Sequence, residues 1–296
     1  MIQVNLDLAG AEWVVVAYLT QDENMLSVVH SGKSPHVFTA NFVTRIPEDL
    51  ILKDHKAVGD VTDPTAIRDI RAKEVPEVLE LEKKGHFLPR TMSIRQAGKK
   101  SNHALNYGMK FRRFALENEI TEADAKPLVD KYSTVAYPKL PLWWEDVRRR
   151  LRDNDRTLTN CFGRKVKLLD EWGHELWMAA YSFEPQSTVA DCTIQGLRKA
   201  YHDNMDIWMQ RVRFGAQVHD SLMFQYPEKD PEGMAHAILR VREHMTPLLR
   251  IKGQEFRLGC DVKIGRDWGH MKEVKVSDND PAALRDRIIA TIPVLK

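Results

Sequence analysis

Four side chains that recur every four residues place the strongest constraint on this chain: Arg95, Lys99, His103 and Tyr107, in the stretch RQAGKKSNHALNYG. Four residues advance an α-helix by about 400°, so the side-chain direction drifts by only about 40° per step. The spacing predicts a helix over residues 95–109 with all four side chains on one broad face, roughly 18 Å long. Cations at one end and flat rings at the other suit a molecule with a polyphosphate and a base, such as a nucleoside triphosphate.

Two segments that carry carboxylates flank this predicted helix in the sequence. Residues 7–22 have the sequence DLAGAEWVVVAYLTQD, and residues 217–227 have the sequence QVHDSLMFQYP. Alternation of apolar and polar residues from Ile2 to Leu8 predicts a half-buried strand with Asp7 on its polar face. Alternating runs over 212–218 and 222–226 predict two more strands, with His219 and Asp220 at the tip between them.

The remaining patterns predict mainly helices. These cover residues 12–19, patches of the charged stretch 42–88, residues 120–132 with a cap at Thr121, residues 187–208, and a short segment from Pro281. Pro138, Pro141 and the pair Trp143–Trp144 indicate a turn before a long basic helix. Residues 157–169 are typical of a hairpin with Gly163 at its turn.

Composition excludes several classes of protein. A chain of 296 residues can form one large domain or two smaller lobes, and 43% hydrophobic with 29% charged residues is ordinary for a soluble protein. No apolar run is long enough to span a bilayer, and the start MIQVNLDL is not a secretory signal. Cys161, Cys192 and Cys260 lack paired spacing, which predicts reduced, buried thiols. We therefore expect a cytoplasmic protein without a membrane partner.

The net charge of +2 means that any affinity for nucleic acid requires a local basic face. Eight cations in a short stretch supply one: Arg148, Arg149, Arg150, Arg152, Arg156, Arg164, Lys165 and Lys167. A run of this kind is more often a solvated helix than a binding site. Contacts from Lys and Arg to phosphates nevertheless supply most of the sequence-independent affinity for DNA. Both interpretations stay open on composition alone.

The order of carboxylate strand, cationic helix and carboxylate hairpin resembles the three core motifs of family A DNA polymerases, the polymerase I-like enzymes. The resemblance extends from about Val4 to His270, where LGCDVKIGRDWGHM resembles the end of the family's polymerase body. It implies an α+β fold, with a polymerase palm of antiparallel strands and a mostly helical fingers subdomain. The implied domains are residues 1–22 for the first part of the palm, 23–176 for the fingers, 177–272 for the second part of the palm, and 273–296 for a C-terminal tail.

The resemblance also implies template-directed DNA synthesis, in which a nucleotidyl group passes from a dNTP to a primer 3′ end by a two-metal mechanism. Phosphoryl transfer needs in-line geometry and compensation of charge on the attacking and leaving oxygens. Two divalent ions about 4 Å apart provide this compensation. By the resemblance, Asp7, Asp220 and the backbone carbonyl of Leu8 hold two Mg²⁺ ions, for which Mn²⁺ can substitute.

The predicted dNTP site lies on the helix with the four-residue spacing. In the family, the lysine matched by Lys99 meets the triphosphate, and the arginine matched by Arg95 meets its tail. His36, in SPHVFTA, matches a histidine near the incoming phosphates, although a histidine of the core or surface is an equally good interpretation. His103 stands where the family has Phe or Tyr near the sugar, and Tyr107 completes the site.

Glu12 distinguishes two classes of polymerase. In family A DNA polymerases a glutamate at this position blocks the sugar 2′-hydroxyl and is held by the tyrosine matched here by Tyr107. Single-subunit RNA polymerases share the arginine, the lysine and the HDS sequence seen at 219–221, but they carry glycine in place of Glu12. The alternatives are therefore an enzyme of that RNA polymerase type and a non-catalytic DNA-binding remnant. The presence of Asp7, Asp220, Lys99 and Tyr107 favours an enzyme.

Contacts to DNA are expected from four further positions: Gln186 and Ser182, which match minor-groove residues, Arg164 in a GR hairpin, and His219 beside the metal carboxylate. Besides His103, four positions depart from the family's pattern. Ser182 replaces an asparagine, Ser221 replaces a glutamate so that one carboxylate is lost, and Ala9–Gly10 replaces a Ser-Gln pair. None of these changes removes Asp7 or Asp220.

In this family the thumb, and commonly a 3′–5′ exonuclease domain, precede the first motif, which here starts almost at Met1. We therefore expect a phage-type or split form that lacks both parts, in the cytoplasm of a bacterial or phage-infected cell. The expected partners are primer–template DNA, dNTPs and a second protein that supplies the thumb and the exonuclease.

Overall fold

The structure is a computed structural model that describes residues 1–203, 205–276 and 279–295. The helices are α1 Ala11–Thr20, α2 Glu23–His30, α3 Pro35–Thr44, α4 Glu48–Val58, α5 Pro64–Glu74, α6 Pro76–Lys83, α7 Ile94–Asn106, α8 Phe111–Asn118, α9 Glu122–Lys131, α10 Leu140–Asp153, α11 His174–His202, α12 Pro231–Met245 and α13 Pro281–Thr291. The strands are β1 Ile2–Ala9, β2 Thr157–Thr159, β3 Lys165–Lys167, β4 Arg213–Val218, β5 Ser221–Tyr226, β6 Leu249–Ile251, β7 Gln254–Phe256, β8 Gly259–Gly265 and β9 Lys272–Glu273. A π-helical turn covers Tyr132–Ala136, and 3₁₀ turns cover Met209–Arg211 and Ile292–Val294.

The chain divides into two compact units. A sheet unit comprises Met1–Glu12, Thr159–Arg164 and Glu184–Lys296. A helical unit comprises Trp13–Leu158 and Lys165–Phe183. The helices and the antiparallel sheet confirm the α+β fold, whereas the assignment of residue ranges to palm, fingers and tail stays a prediction.

An antiparallel sheet with the strand order β4–β5–β1–β8–β9 forms the core of the sheet unit. Successive side chains of a strand point to opposite faces, so Ile2, Val4 and Leu6 share one face of β1 and are fully buried. Helix α12 contacts β1, and α13 packs against α12. Leu284 and Ile288 of α13 are buried, so the chain itself covers the apolar face of its last helix.

Helix α7 confirms the predicted helix but ends earlier, at Asn106 rather than at residue 109. Gly108 has a φ of +77°, a left-handed conformation that glycine adopts without strain. The Gly108 N–H donates to the Leu105 carbonyl at 3.1 Å, and the Met109 N–H donates to the Ala104 carbonyl at 3.2 Å. These bonds close the helix end in the way that a left-handed residue normally does. Tyr107 therefore caps the helix instead of lying within it.

The helical unit holds α7 close to α3. A Cβ added at Gly98 would lie 2.2 Å from the His36 carbonyl oxygen, so only glycine permits this approach. A buried apolar cluster surrounds the contact, formed by Val37, Ala40, Ile46, Ile51, Val75, Val78, Leu88 and Ile94. Ile94 joins this cluster, and α7 is buried further along the same face at Ala97 and Leu105, so packing fixes the position of the helix.

Several predicted boundaries were wrong, and prolines explain two of them. Helix α10 begins at Leu140, so Trp143 and Trp144 lie in the helix and not in a turn, because proline is well tolerated in the first helical turn. Helix α11 spans His174–His202 rather than 187–208, because it continues through Pro185, which would ordinarily interrupt a helix. Residue 204 of that predicted helix and residues 277, 278 and 296 of the predicted tail lie outside the described residues.

The three cysteines are free thiols. Burial raises the pKa of Cys192 and of Cys260 to about 12, so both stay protonated at neutral pH. Cys161 is exposed, which corrects the prediction of three buried thiols. Its position in the turn between β2 and β3 explains this, because connecting segments run over the surface.

In the part of the chain that the structure describes, no helix combines the length and the apolar character needed to cross a membrane.

Candidate active site

The pairing of β1 with β5 brings together the backbone segments of the two aspartates that were predicted to hold metal ions. Asp7 lies opposite Ser221 in the register of these strands. The Leu8 N–H donates to the Asp220 carbonyl oxygen at 3.2 Å. Asp7 and Asp220 are both half-exposed. Residues more than two hundred positions apart in the sequence therefore meet at one end of the sheet.

The tip between β4 and β5 has a defined geometry. His219 has a φ of +52°, which gives a two-residue hairpin turn the twist that matches its strands. The Gln217 side-chain amide donates to the His219 carbonyl at 2.6 Å, and the Ser221 hydroxyl donates to the Val218 carbonyl at 2.9 Å. These bonds brace the turn on both sides of Asp220. The β4 strand also shifts register between Phe214 and Ala216, but its burial still alternates from Arg213 to Val218, as predicted.

Asp261 is a third carboxylate in this region, and its position was not predicted from the sequence. It lies opposite Asp7 in the register of β1 and β8. Directly opposite residues of antiparallel neighbours project to the same face, so Asp7, Ser221 and Asp261 share one face of the sheet. In the sequence, the polar Asp261 stands between the apolar Cys260 and Val262, and this alternation was the available signal for an exposed position.

The sheet face suits a cation that completes its coordination with substrate. Among the described residues, no group of three or more His, Cys, Asp or Glu side chains is arranged to hold a metal ion. Mg²⁺ is usually bound by one or two carboxylates together with substrate phosphates. Asp7 and Asp220, on adjoining backbone segments, match this donor set, and Leu8 offers a carbonyl next to Asp7 in the chain.

In the helical unit, the structure places His36 near two cations of α7. Burial, together with the smaller effects of the Arg95 and Lys99 charges, lowers the pKa of His36 to about 3. The imidazole is therefore neutral at physiological pH. Its Nδ1 atom lies 3.3 Å from the Asn102 side-chain nitrogen, which is a donor, so Nδ1 accepts and Nε2 carries the proton. His36 thus offers one N–H beside two positive charges.

A buried polar network fixes the orientation of Asn102. Its side-chain oxygen accepts from the Thr39 hydroxyl at 2.7 Å and from the Tyr132 hydroxyl at 2.9 Å. Its nitrogen donates to the Pro35 carbonyl at 3.1 Å and also to Nδ1 of His36. Burial raises the pKa of Tyr132 well above its usual value, so this phenol stays a neutral donor. Asn102 was not predicted from the sequence, although Asn102 and Asn106 also repeat at a four-residue spacing.

The ring end of α7 is packed against other aromatic side chains. The rings of His103 and Tyr107 meet edge to face, with centroids 5.5 Å apart. His103 is exposed and Tyr107 is buried. The Trp144 indole N–H donates to the Asn106 carbonyl at 2.8 Å and so satisfies an acceptor at the helix end. The predicted contact between Tyr107 and Glu12, which is half-buried in the first turn of α1, stays a prediction.

The opposite end of α7 rests on a buried ion pair. The Asp54 carboxylate accepts from the Arg71 guanidinium at 2.7 and 3.3 Å and from the Ile94 N–H at 2.7 Å. The same guanidinium donates to the Met92 carbonyl at 3.1 Å. His55 Nε2 lies 3.4 Å from a guanidinium nitrogen of Arg95. The first residues of α7, including Arg95, are therefore positioned by this network.

The four positions predicted to contact DNA have different surroundings. Arg164 donates to both oxygens of the buried Asp191 carboxylate at 2.5 to 3.1 Å, and this pairing lowers the pKa of Asp191. Gln186 and His219 are exposed. The Ser182 hydroxyl donates to the Ala179 carbonyl of its own helix at 3.1 Å. The DNA-binding roles of all four stay predictions.

Most cations of the basic run have acidic neighbours. Besides the Arg164–Asp191 pair, the contacts are 2.5 Å from Arg149 and 3.0 Å from Arg150 to Asp146, 3.1 Å from Arg152 to Glu145, and 2.6 Å from Lys167 to Asp155. Ion pairs on the surface contribute little free energy and are easily exchanged. The pairs therefore reduce the local excess of charge without preventing these side chains from meeting phosphates.

Residues 72–270 match the family model described as DNA polymerase family A. The chain is 25% identical over 279 residues to "DNA polymerase I, thermostable" of Thermus aquaticus and covers 27% of that protein. It is 24% identical over 274 residues to the protein of the same name from Thermus thermophilus and covers 26% of it. These alignments include 91% and 90% of this chain. The chain thus spans about a quarter of the length of these relatives.

The fold is similar to that of the POL domain of Pol1 from M. smegmatis, a structure solved in complex with DNA primer–template and dNTP. The TM-score is 0.63 at 21% sequence identity, and the match covers 90% of this chain and 40% of the other. At this identity the likeness concerns the fold alone.

Proposed function

The chain belongs to DNA polymerase family A, and on this premise we propose that it takes part in template-directed DNA synthesis, adding nucleotides from dNTPs to a primer 3′ end. The observation that carries the proposal is the meeting of Asp7 and Asp220 on adjoining segments at one end of the sheet. The DNA primer–template and dNTP of the M. smegmatis structure are the partners that we propose for this chain.

The sheet unit would bind the divalent ions, for which we propose Mg²⁺ with Asp7, Asp220 and the Leu8 carbonyl as ligands. When bound, such ions compensate negative charge on the attacking and leaving oxygens. The protein's own contribution is to hold the two carboxylates on a rigid support. Pairing of β1 on both sides, with β5 and β8, supplies that rigidity.

The helical unit would bind the triphosphate. Arg95, Lys99 and the neutral His36 present two charges and one N–H donor in a single region. Donors that are already oriented stabilise developing charge without reorganising during the reaction. The Asn102 network, which fixes His36, and the Asp54–Arg71 pair, which fixes the start of α7, supply this orientation.

Replacement of Lys99 by alanine is expected to lower kcat/KM for dNTP by about 2–4 kcal/mol, the scale for losing one oriented charge at a developing oxyanion. The measurement is single-nucleotide addition at varied dNTP concentration. Lys100, the exposed neighbour on α7, provides the matched control, and its alanine variant is expected to retain wild-type kinetics. Weaker DNA binding with unchanged dNTP kinetics in the Lys99 variant would instead assign this lysine to the template.

Replacement of Glu12 by alanine is expected to raise incorporation of ribonucleotides relative to deoxyribonucleotides. The proposed barrier is steric, since the glutamate occupies the space that a 2′-hydroxyl needs. The measurement is the ratio of rNTP to dNTP addition on one primer–template, with Glu23→Ala, an exposed glutamate at the start of α2, as the control. An unchanged ratio would mean that Glu12 is not the barrier and would favour the RNA polymerase alternative.

Primer extension by the purified chain tests the proposed function directly against the non-catalytic alternative. DNA binding without any extension, in the presence of dNTPs and Mg²⁺ or Mn²⁺, would support a DNA-binding remnant. The second protein that supplies a thumb and an exonuclease, the phage-type or split character, and the cytoplasmic location stay predictions.

A further inference from the structure

We propose that a column of alternating aromatic rings and guanidinium groups in the helical unit binds the unpaired 5′ part of a DNA template strand. This column, the aromatic–arginine track, consists of Trp144, Tyr181, Arg148, Trp177, Trp172 and Arg156. The proposal rests on the proposed function, because it names a further binding site for the DNA that the enzyme copies.

The track is continuous by contact. Trp144 and Tyr181 stack with centroids 5.7 Å apart at 25°. The Arg148 guanidinium lies over Tyr181 at 5.7 Å and over Trp177 at 5.9 Å. Its Nε also donates to the Tyr181 hydroxyl. One guanidinium therefore links the inner pair of rings to the outer ones.

The outer part of the track reaches the solvent. Trp172 and Trp177 lie with centroids 5.2 Å apart at 38°, and the Arg156 guanidinium covers the Trp172 ring at 4.2 Å. Tyr181 is buried, Trp177 is half-buried and Trp172 is 49% exposed. Trp144 is half-buried as well, so exposure is greatest at the outer end of the track, where a strand leaving an active site would reach the solvent.

The inner end of the track abuts the end of α7. A Cβ added at Gly108 would lie 3.3 Å from the Tyr181 ring and 3.9 Å from the Trp144 ring. On α7 the cations Arg95 and Lys99 precede this ring end by two to three turns. A nucleotide with its triphosphate on those cations directs its base toward Tyr107, and the template base that pairs with it must lie nearby. The next template nucleotides, which have no partner, would then emerge where the track begins.

The chemistry of the track fits single-stranded nucleic acid better than a duplex. Unpaired bases stack on aromatic side chains regardless of sequence, whereas the bases of a duplex are already stacked on one another. Arginine adds contacts to phosphates and stacks on bases through its planar group. An exposed cation–π contact such as that of Arg156 is weak, so the guanidinium can move to a phosphate.

The charge around the track is mixed but includes several cations. Lys110, Arg113 and Arg148 all lie close enough to His174 to lower its pKa, after the larger effect of burial. Glu175 acts in the opposite direction on the same histidine. Glu145 accepts from Arg148 at 3.4 Å and from Arg152 at 3.1 Å. These exposed pairs leave the arginines able to exchange a carboxylate for a phosphate.

The test measures the affinity of the full chain for two primer–templates, one with a 5′ template overhang of several nucleotides and one with none. Without dNTP, the Trp172→Ala variant is expected to bind the overhang substrate roughly 5- to 100-fold more weakly, the scale for losing one base–aromatic stack. Its affinity for the blunt substrate is expected to stay at the wild-type value. Trp172→Phe, which keeps a ring, should retain most of the overhang affinity, and the exposed Trp268 of the sheet unit provides a control as Trp268→Ala.

Equal loss of affinity for both substrates would overturn the proposal, because it would assign Trp172 to duplex binding or to folding. An unchanged affinity for the overhang substrate would overturn it as well. The assay needs no catalysis, so an inactive chain that still prefers the overhang through Trp172 would refute the proposed function while supporting the track. Normal primer extension by a chain that shows no preference for the overhang would support the proposed function while refuting the track.

Discussion

Nucleotide addition is expected to fall by about 10³-fold or more when Asp220 is replaced by asparagine, the scale of several kcal/mol of lost charge stabilisation at a metal-assisted phosphoryl transfer. Asparagine keeps the size of the side chain and tolerates turn geometry, so the hairpin between β4 and β5 should form unchanged. Asp7→Asn is expected to have an effect of the same size. Both changes remove a negative charge on which a divalent ion would depend.

Affinity for primer–template distinguishes a lost metal ligand from a damaged fold. Neither variant removes a cation, and phosphate contacts come mainly from Lys and Arg, so both variants should bind DNA nearly as well as the wild type. The replacement Glu255→Gln, at an exposed carboxylate on β7, serves as the control and should leave extension unchanged. Extension close to the wild-type rate by Asp7→Asn or Asp220→Asn would contradict the assignment of the two carboxylates.

Local patterns in the sequence predicted the elements of this fold well where one physical preference dominates. The alternation in β1 predicted both the strand and the half-exposed position of Asp7. The four-residue spacing predicted α7, and its end was misplaced only because the conformation of Gly108 was not considered. Helix α11 was placed too late because Pro185 is a strong local signal, which the packing of a 29-residue helix overrides.

The meeting of Asp7 and Asp220 could not be derived from local pattern. It depends on the pairing of β1 with β5, two strands separated by the whole helical unit in the sequence. Only the resemblance to a known family indicated it. Asp261 was missed for the same reason, because its place opposite Asp7 follows from the register of β1 and β8.

The charged stretch 42–88 contains a buried ion pair that its composition did not predict. Its composition is that of a solvated surface, yet Asp54 and Arg71 within it are almost completely buried. Charged residues are buried when they are paired, and the pairing here spans two helices, α4 and α5, as well as the start of α7. A sequence does not show which of its many charges will find such a partner.

This buried pair leads to the largest expected effect on stability. Asp54→Ala leaves the Arg71 guanidinium buried without its carboxylate and leaves the Ile94 N–H without its acceptor. Breaking a buried ion pair by removing one partner costs about 3–5 kcal/mol. We expect the free energy of unfolding of the helical unit to fall by about this amount, as measured by denaturant titration followed through its tryptophans.

The double variant Asp54→Leu/Arg71→Met separates the cost of an unpaired charge from the value of the pair itself. Two apolar side chains of similar volume can replace a buried ion pair with little loss, so this variant should be more stable than Asp54→Ala. The exposed pair Lys83–Glu80, 2.7 Å apart, provides the comparison, and Lys83→Ala should leave stability nearly unchanged. Because the pair supports the first turn of α7, the double variant should still use dNTPs less efficiently than the wild type. Wild-type stability in Asp54→Ala would show that the Arg71 charge finds water or another partner, and that the start of α7 does not depend on Asp54.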